Sequence, residues 1–339
     1  MALLAGCGQH SHMNLLTSSP RRFAWLLIAA SLLSACSMPP VPPTTEHDPS
    51  LPSVTLRGYR FHAESFGEAG KPVLIVLHGG PGIDYRYLLS LKALADEYQV
   101  VFYDQRSSGL SPRVPSHEIT LDSFIRDLDA FVDHYGQGRA VHLVGHIWGA
   151  MLASAYTGVH PGKVGKLVLA EPGFLDASTL DAIQGSSWPG WRVVWGFSAA
   201  WVGKWFISTG GDAYARDDAF LLKVLPLTQG AHDLCDGRLP RLQAWRAGYP
   251  AFQATLGRAL DDPAWARTLD FRRGVDAFAG PTLFLTGACN TTQTETLRRA
   301  HMAHFKHPTV GVVPKAGHFM FNDQPEVSVA VVRAFLRGR

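Results

Sequence analysis

The sequence is poor in charge and in cysteine, and it contains no hydrophobic run long enough to cross a bilayer. Only 17% of its 339 residues are charged and four are cysteines, whereas 46% are hydrophobic. This composition is too apolar for a disordered chain and too mixed for a polytopic membrane protein. The excess of 31 Lys and Arg over 28 Asp and Glu is too small to indicate a nucleic-acid partner. We therefore expect one globular domain of about 300 residues.

The first 36 residues contain no acidic residue and have the pattern of an export signal. Arg21 and Arg22 precede an apolar run of roughly a dozen residues, which is short of the ~20 that a spanning helix needs. Residues 33–36, with the letters LSAC, resemble the bacterial lipobox, in which the cysteine thiol receives a lipid. We predict a lipoprotein signal peptide over residues 1–35, with Met13 as an alternative start, and lipidation at Cys36.

Lipidation at Cys36 predicts an exported protein of the cell envelope that contacts the membrane through its lipid. Ser37 follows the cysteine in place of an Asp, which in Gram-negative lipoproteins favours the outer membrane, with the protein facing the periplasm. The Pro-rich residues 36–52 are then an extended tether. A transmembrane anchor and a plain secretory signal are the alternatives.

Two further cysteines, Cys235 and Cys289, lie in the predicted domain. In an exported protein they could form a disulfide. Because nothing in the sequence places them within bonding distance, two buried free thiols are an equal alternative.

Short β-rich runs alternate with helical stretches from residue 54 onward, which predicts an α/β fold with a mainly parallel central sheet. The strand candidates are residues 54–62, 73–77, 100–103, 141–144, 167–169, 283–285 and 309–313. Several are continuous apolar runs, as expected for strands buried on both faces. A long, mostly helical and Trp-rich stretch interrupts this alternation of strands and helices. We therefore assign residues 53–172 and 281–339 to the core and residues 173–280 to a helical cap.

Two glycine-containing segments follow the first two central strands, where substrates bind in such sheets. Residues 78–82 read HGGPG and residues 104–109 read DQRSSG. They resemble the HGGPG and DQRGSG segments of the proline-iminopeptidase group of the α/β-hydrolase superfamily, with Ser107 at a position where that group has Gly. The resemblance covers roughly residues 54–339. It implies an α/β-hydrolase fold, no cofactor, and a serine hydrolase acting on peptide, amide or ester bonds, with Gly79 and Gly80 offering N–H groups to an oxyanion.

The nucleophile position departs from the family pattern. Residues 145–149 read GHIWG where the family has GGSWG, so Ile147 replaces the serine of the nucleophile elbow. An isoleucine side chain has no lone pair and no transferable proton, which excludes an acyl-enzyme. The N–H of Trp148 would still face the oxyanion position. We expect a hydrolase relative that is inactive or impaired as written.

Three interpretations of Ile147 stay open. One is a pseudohydrolase that keeps its pocket to bind a ligand. A second is a single-nucleotide difference, since AGC encodes Ser and ATC encodes Ile, through recent loss, sequencing error or deliberate inactivation. The third is proton-transfer chemistry by a base and its acid without a covalent intermediate.

The other members of the predicted triad are a histidine and an acid. His318, in the segment Ala-Gly-His after the last strand, matches the family's catalytic histidine and is the predicted general base. The usual acid position after the seventh strand holds Asn290, so we take Glu171, at the end of the preceding strand, as the acid and give Asn290 a supporting role. No His pair spaced for a metal is present, and we predict none.

The cap supplies the substrate prediction. Five of the nine tryptophans (Trp188, Trp191, Trp195, Trp201 and Trp205) lie within eighteen residues, and no glutamate occurs between Pro172 and Thr294. True proline iminopeptidases are expected to hold the substrate amine with cap acids, so an ester or amide with an apolar group is at least as good a ligand class. We expect the tryptophans to be buried within the cap, with an apolar lid or a lipid-contacting surface as alternatives.

Overall fold

The computed structural model describes residues 41–183, 191–207, 209–228, 233–235 and 243–338. The predicted signal peptide (residues 1–35), Cys36 and Trp188 therefore lie outside the described residues. Among the described residues, no helix is long and apolar enough to cross a membrane.

A single sheet of eight strands organises the core in the order β1-β2-β4-β3-β5-β6-β7-β8. The strands are β1 (Ser53–Leu56), β2 (Tyr59–Phe66), β3 (Val73–Leu77), β4 (Gln99–Tyr103), β5 (Val141–His146), β6 (Val164–Ala170), β7 (Pro281–Gly287) and β8 (His307–Val313). Strands β3 to β8 pair in parallel, whereas β1 and β2 are antiparallel additions at one edge. The predicted α/β fold with a mainly parallel sheet is confirmed.

The expected single strand over residues 54–62 is wrong, because β1 and β2 form a hairpin. Arg57 and Gly58, between the two strands, have φ angles of 50° and 78°. Two successive residues with positive φ give a tight two-residue turn whose twist matches that of the paired strands.

Eleven α-helices are described, and many are short. They are α1 (Leu121–Gly136), α2 (Trp148–Val159), α3 (Ala177–Ile183), α4 (Trp191–Gly203), α5 (Ala215–Val224), α6 (Tyr249–Phe252), α7 (Arg258–Asp261), α8 (Pro263–Ala266), α9 (Glu295–Met302), α10 (Met320–Asp323) and α11 (Pro325–Arg337). A π-helical turn, Gln253–Gly257, joins α6 to α7, and a 3₁₀ segment, Arg86–Asp96, precedes β4. Helix α1 begins at a capping box in which Thr120 and Ser123 exchange hydrogen bonds.

Alternate residues of the central strands form two hydrophobic clusters, one on each face of the sheet. Ile75 and Leu77 of β3 pack on the face covered by α1 and α2, with Phe124 and Phe131. Leu74 lies on the opposite face, which the 3₁₀ segment and α11 cover. Burial on both faces explains why these strands are continuous apolar runs in the sequence.

The C-terminal part of the expected tether is docked on the domain. The Thr45 N–H donates to Leu110 O at 2.8 Å, its hydroxyl donates to Arg60 O at 2.9 Å, and the side chain is buried. The Arg246 guanidinium donates to Pro42 O at 2.9 Å. Pro42 and Thr45, within the predicted extended tether over residues 36–52, are therefore hydrogen-bonded to the domain, whereas residues 36–40 lie outside the described residues.

Candidate active site

Ile147 occupies the apex of a sharp turn between β5 and α2. Its φ of 54° and ψ of −114° lie where a β-branched residue is strained. The turn is tight on both sides: a Cβ on Gly145 would lie 2.2 Å from Gly149 O, and one on Gly149 would lie 2.1 Å from Leu77 O. The glycine pattern of residues 145–149 thus builds an elbow that presents the side chain of residue 147.

The Ile147 side chain projects toward the glycine loop after β3. Its Cδ1 and Cβ atoms lie 3.0 and 3.1 Å from the position of a Cβ built on Gly79, and the residue lines the large cavity described below. An aliphatic group therefore stands where a nucleophile would stand, and it can neither attack a substrate nor exchange a proton with a base.

His318 and Glu171 lie beside each other, with 3.7 Å between His318 Nδ1 and Glu171 Oε2. Glu171 follows β6, has a φ of 47° and is fully buried, whereas 16% of the His318 side chain is exposed. The Oε1 atom of Glu171 accepts hydrogen bonds from Thr286 Oγ1 at 2.9 Å and from the Gly287 N–H at 2.7 Å. These contacts fix the carboxylate and direct its other oxygen toward the imidazole.

Asn290 contacts Glu171 rather than standing in for it. Its amide Nδ2 donates to Glu171 Oε2, and its Oδ1 accepts from the Thr292 N–H at 2.9 Å. Glu171 and Asn290 are the two candidates for the acid. Glu171 lies beside the imidazole, and Asn290 contacts Glu171. The two oxygens of a carboxylate have enough acceptor sites for these three donors and for His318.

A hydrogen-bonded chain connects the glycine loop to the His318 loop through His146. The Gly79 N–H donates to the Tyr87 hydroxyl at 2.8 Å, and that hydroxyl lies 2.8 Å from His146 Nδ1. The Nε2 atom of His146 lies 2.8 Å from His318 O. Burial, with a smaller contribution from His318, lowers the pKa of His146 to about 3, so the ring is neutral and donates from Nε2.

This chain corrects the prediction that the Gly79 N–H serves an oxyanion, because Tyr87 already accepts it. Gly80 and Trp148, the other two predicted donors, line the cavity. Trp148 is the first residue of α2, where backbone N–H groups have no partner within the helix. Tyr87 was missed by sequence reasoning, since its spacing from Leu88 and Leu91 indicates only a buried helical face.

The two family-like segments hold each other in place. The Gln105 N–H donates to His78 Nε2 at 2.9 Å, and the Gln105 side chain donates to His78 O at 2.8 Å. The indole N–H of Trp148 donates to Gln105 Oε1 at 3.0 Å. Arg106, by contrast, forms two hydrogen bonds with Asp127 and stacks on Tyr59. It supports the loop and does not line the cavity.

A cavity of about 860 Å³ opens beside Ile147 and runs between the core and the predicted cap. Its lining is mainly apolar and includes Met151, Phe174, Leu180, Leu256, Trp265 and Phe271. Among the described lining residues, only Asp122 and Arg258 are charged; both are exposed, and the Arg258 guanidinium lies 4.2 Å from the Trp265 ring. In the described part of the chain, no group of His, Cys, Asp and Glu side chains could hold a metal ion.

Cys235 and Cys289 form a disulfide, which settles the alternatives that the sequence left open. The bond joins residues 233–235 of the predicted cap to the loop that carries Asn290. The same short segment contacts the His318 loop, because the His318 N–H donates to Asp233 O at 2.7 Å. Thr292 also donates to the Asp233 carboxylate at 2.7 Å. The disulfide therefore lies at the edge of the site.

Comparisons with known proteins identify the family of the fold. The family model described as alpha/beta hydrolase fold matches residues 72–325, so the chain belongs to the α/β-hydrolase family. It is 39% identical over 127 residues to a proline iminopeptidase of Heyndrickxia coagulans, which covers 35% of this chain and 42% of that protein. It is 36% identical over 135 residues to epoxide hydrolase 4 of Mus musculus, covering 38% of this chain and 37% of that protein.

Both matches span about two fifths of the length of these curated relatives. A solved structure of a haloalkane dehalogenase variant from Bradyrhizobium elkanii is similar over 84% of this chain and 95% of its own, with a TM-score of 0.58 and 20% identity. At that identity the likeness shows the fold alone.

Proposed function

We propose that this protein is an α/β hydrolase without a nucleophile that binds a small molecule with an apolar group and does not form an acyl-enzyme. The observation that carries the proposal is Ile147 at the apex of the elbow, facing the apolar cavity. Covalent catalysis needs an atom at this point that can attack a carbonyl and give up a proton, and isoleucine has none.

The surroundings of Ile147 support a site in which only one member is missing. His318 and Glu171 lie together, Glu171 holds three hydrogen bonds, and Gly80 and Trp148 line the cavity. A base, an acid and oxyanion donors are the parts that a serine hydrolase needs besides its nucleophile. Without the serine the attack is lost, and a cavity that can receive a ligand is still present beside Ile147.

The cavity favours an apolar ester or amide over a substrate with a free amine. Its lining is mainly apolar, and among the lining residues that the structure describes Asp122, at the start of α1, is the one acidic side chain. The relatives include proline iminopeptidases and epoxide hydrolases, which are named for different reactions. Their names therefore do not identify the bond that an active ancestor cleaved. We therefore assign the ligand by its apolar group and not by the reaction of one relative.

The test is Ile147→Ser, assayed with p-nitrophenyl butyrate and with a fluorophosphonate probe. We expect the parent chain to be unlabelled and the variant to be labelled, with an ester turnover at least about 10³-fold higher, because the serine rejoins the base and the acid. Ile147→Ala is the matched control, since it opens the same space without a hydroxyl. Labelling of the parent chain would contradict the proposal, and so would a folded Ser variant as inactive as the Ala variant.

A second candidate is proton abstraction by the His318–Glu171 pair from a bound carbon acid, with no covalent intermediate. The fixed Glu171 carboxylate beside an imidazole favours it, because such a pair can act as a base without a serine. This candidate predicts that the parent chain exchanges a C–H proton of a bound ketone with deuterated solvent and that His318→Ala abolishes the exchange. Absence of exchange for ketones that bind the cavity removes this candidate.

We further propose that the protein is lipidated at Cys36 and faces the periplasm from the outer membrane. The support is the sequence of the first 36 residues, which combines Arg21 and Arg22, a short apolar run and LSAC. Metabolic labelling with tritiated palmitate should mark the parent chain and not Cys36→Ser. Equal labelling of the two chains, or none in either, would overturn the assignment.

A further inference from the structure

Helix α4 and the turn after it carry large apolar side chains that face solvent. Trp195 is 70% exposed, Trp205 57% and Trp201 52%. We call the aromatic face the set of exposed side chains formed by Trp195, Phe197, Trp201, Val202, Trp205 and Phe206. Three half-exposed tryptophans on one short segment correct the expectation that the cap buries these rings.

The exposure follows from how the helix is already packed. Ala200 is buried, and a Cβ on Gly196 would lie 2.5 Å from Leu227 Cδ1, so small residues make the close contact with the rest of the cap. Phe197 reaches Phe220 edge-on at 5.1 Å between ring centroids. Small residues thus form the side of α4 that packs against the rest of the cap. The larger side chains of the aromatic face could turn inward only by breaking this contact. The face is therefore an outward surface of the folded cap.

Two cationic side chains, Lys204 and Arg216, lie at the border of the aromatic face. The sequence contains no acidic residue between Asp181 and Asp212, whereas Arg192 and Lys204 lie within that stretch. Lys204 Nζ lies 5.5 Å from the Trp205 ring and the Arg216 guanidinium 6.0 Å from it. Lys204 also pairs with Asp217 at 3.0 Å, which leaves the cation at the rim and not within the face.

We propose that the aromatic face binds the surface of an anionic phospholipid bilayer, with α4 lying in the plane of the interface. Tryptophan prefers the boundary between acyl chains and headgroups, and cations at the rim attract anionic headgroups. The face offers no carboxylate, amide or guanidinium of its own, whereas protein interfaces carry about one hydrogen bond per 100–200 Å². The lipobox-like sequence at residues 33–36 independently predicts that the domain works beside a bilayer.

The proposal can be tested by locating the tryptophans with lipid-borne quenchers. Fluorescence of the full chain is measured with vesicles of equal parts phosphatidylcholine and phosphatidylglycerol, whose acyl chains are either brominated or ordinary. We expect brominated lipid to quench the parent chain. In Trp195→Asp/Trp205→Asp, which keeps Trp201 as a reporter, the bromine-dependent loss should fall at least about threefold, because carboxylates beside Trp201 hold the face in water.

Val159→Asp/Val312→Asp is the matched control, since both valines are more than half exposed and lie outside α4. It should be quenched like the parent chain, and any lipid at Cys36 is the same in all three proteins. Equal quenching of the parent and the Trp195/Trp205 variant would overturn the proposal. The proposal would also be overturned if the parent chain showed no quenching and formed a dimer in sedimentation without lipid, and if the Trp195/Trp205 variant did not form that dimer. The aromatic face would then bind a second copy of the chain.

Discussion

Three residues around the site hold left-handed backbone conformations that most side chains avoid. Ser107, Ile147 and Glu171 have φ angles of 58°, 54° and 47°, and each follows a strand of the parallel sheet. Such conformations cost of order 1–3 kcal/mol and persist where the surroundings enforce them. At Ser107 the close neighbour is Gly248, whose Cβ would lie 2.0 Å from Ser107 O. Ile147 likewise holds the strained backbone conformation of the elbow, although its side chain carries no group that could attack a substrate.

His146 predicts how the stability of the protein responds to acid. Its folded pKa of about 3 lies below its ordinary value of 6.5, so the unfolded chain takes up a proton that the folded chain refuses. The stabilisation is complete above pH 6.5 and is lost as the pH falls toward 3, with a slope of up to about 1.4 kcal/mol per pH unit. His146→Gln should flatten the curve of unfolding free energy against pH by that amount in urea titrations.

The control for this measurement is His117→Gln, which makes the same substitution at an exposed histidine instead of a buried one. An unchanged slope in the His146 variant would mean that the ring is protonated in the folded protein, which its complete burial argues against. A positive charge there would face the partly exposed His318 across the site.

At the scale of elements, the sequence pattern predicts the sheet better than it predicts the cap. The central strands are apolar runs that only a doubly covered sheet can bury, so β3 to β7 follow from the sequence, whereas β8 is an edge strand with a largely exposed surface. The exposure of α4 does not follow, because a stretch rich in Trp and Phe has the same pattern whether a neighbour covers it or not. The engagement of Gly79 by Tyr87 also depends on a contact that no local pattern encodes.

Part of the candidate site could also be predicted from the positions of residues at strand ends. Ile147, His318 and Glu171 follow strands of a parallel sheet, and the ends of such strands meet at one edge. Cys235 and Cys289 are 54 residues apart, and their pairing depends on how a cap segment returns to the core, which spacing alone leaves open.

The disulfide between the cap and the loop that carries Asn290 predicts a contribution to the free energy of unfolding. Because it closes a loop of 54 residues, the chain-entropy relation gives about 4 kcal/mol of stabilisation. Cys235→Ala/Cys289→Ala should lower the free energy of unfolding in urea by that order, and dithiothreitol should lower that of the parent chain by a similar amount. The reductant should have no further effect on the variant. A parent chain whose unfolding is indifferent to reductant would contradict the prediction.

At the scale of the whole molecule, a buried ion cluster joins the cap, the core and the N-terminal segment. Asp218 of α5 is fully buried and accepts hydrogen bonds from Arg113 at 2.8 Å and from Arg246 at 2.7 Å. Arg246 also pairs with Asp212 at 2.7 Å and donates to Pro42 O. These residues lie far apart in the sequence, and none of them stands out there as a charged core residue. The cluster thus links the cap, the core and the N-terminal segment within one compact unit.

Asp218→Asn tests whether this cluster holds the molecule together. The substitution leaves two buried guanidinium groups without the carboxylate between them, so we expect a loss of about 3–5 kcal/mol in the free energy of unfolding. The neighbouring Asp217→Asn is the matched control: its side chain is 37% exposed and pairs with Lys204, so its loss should cost about 0–1 kcal/mol. Urea unfolding of the two variants makes the comparison. Equal losses would contradict this expectation. They would mean that apolar contacts, and not the buried ions, stabilise the packing of the cap on the core.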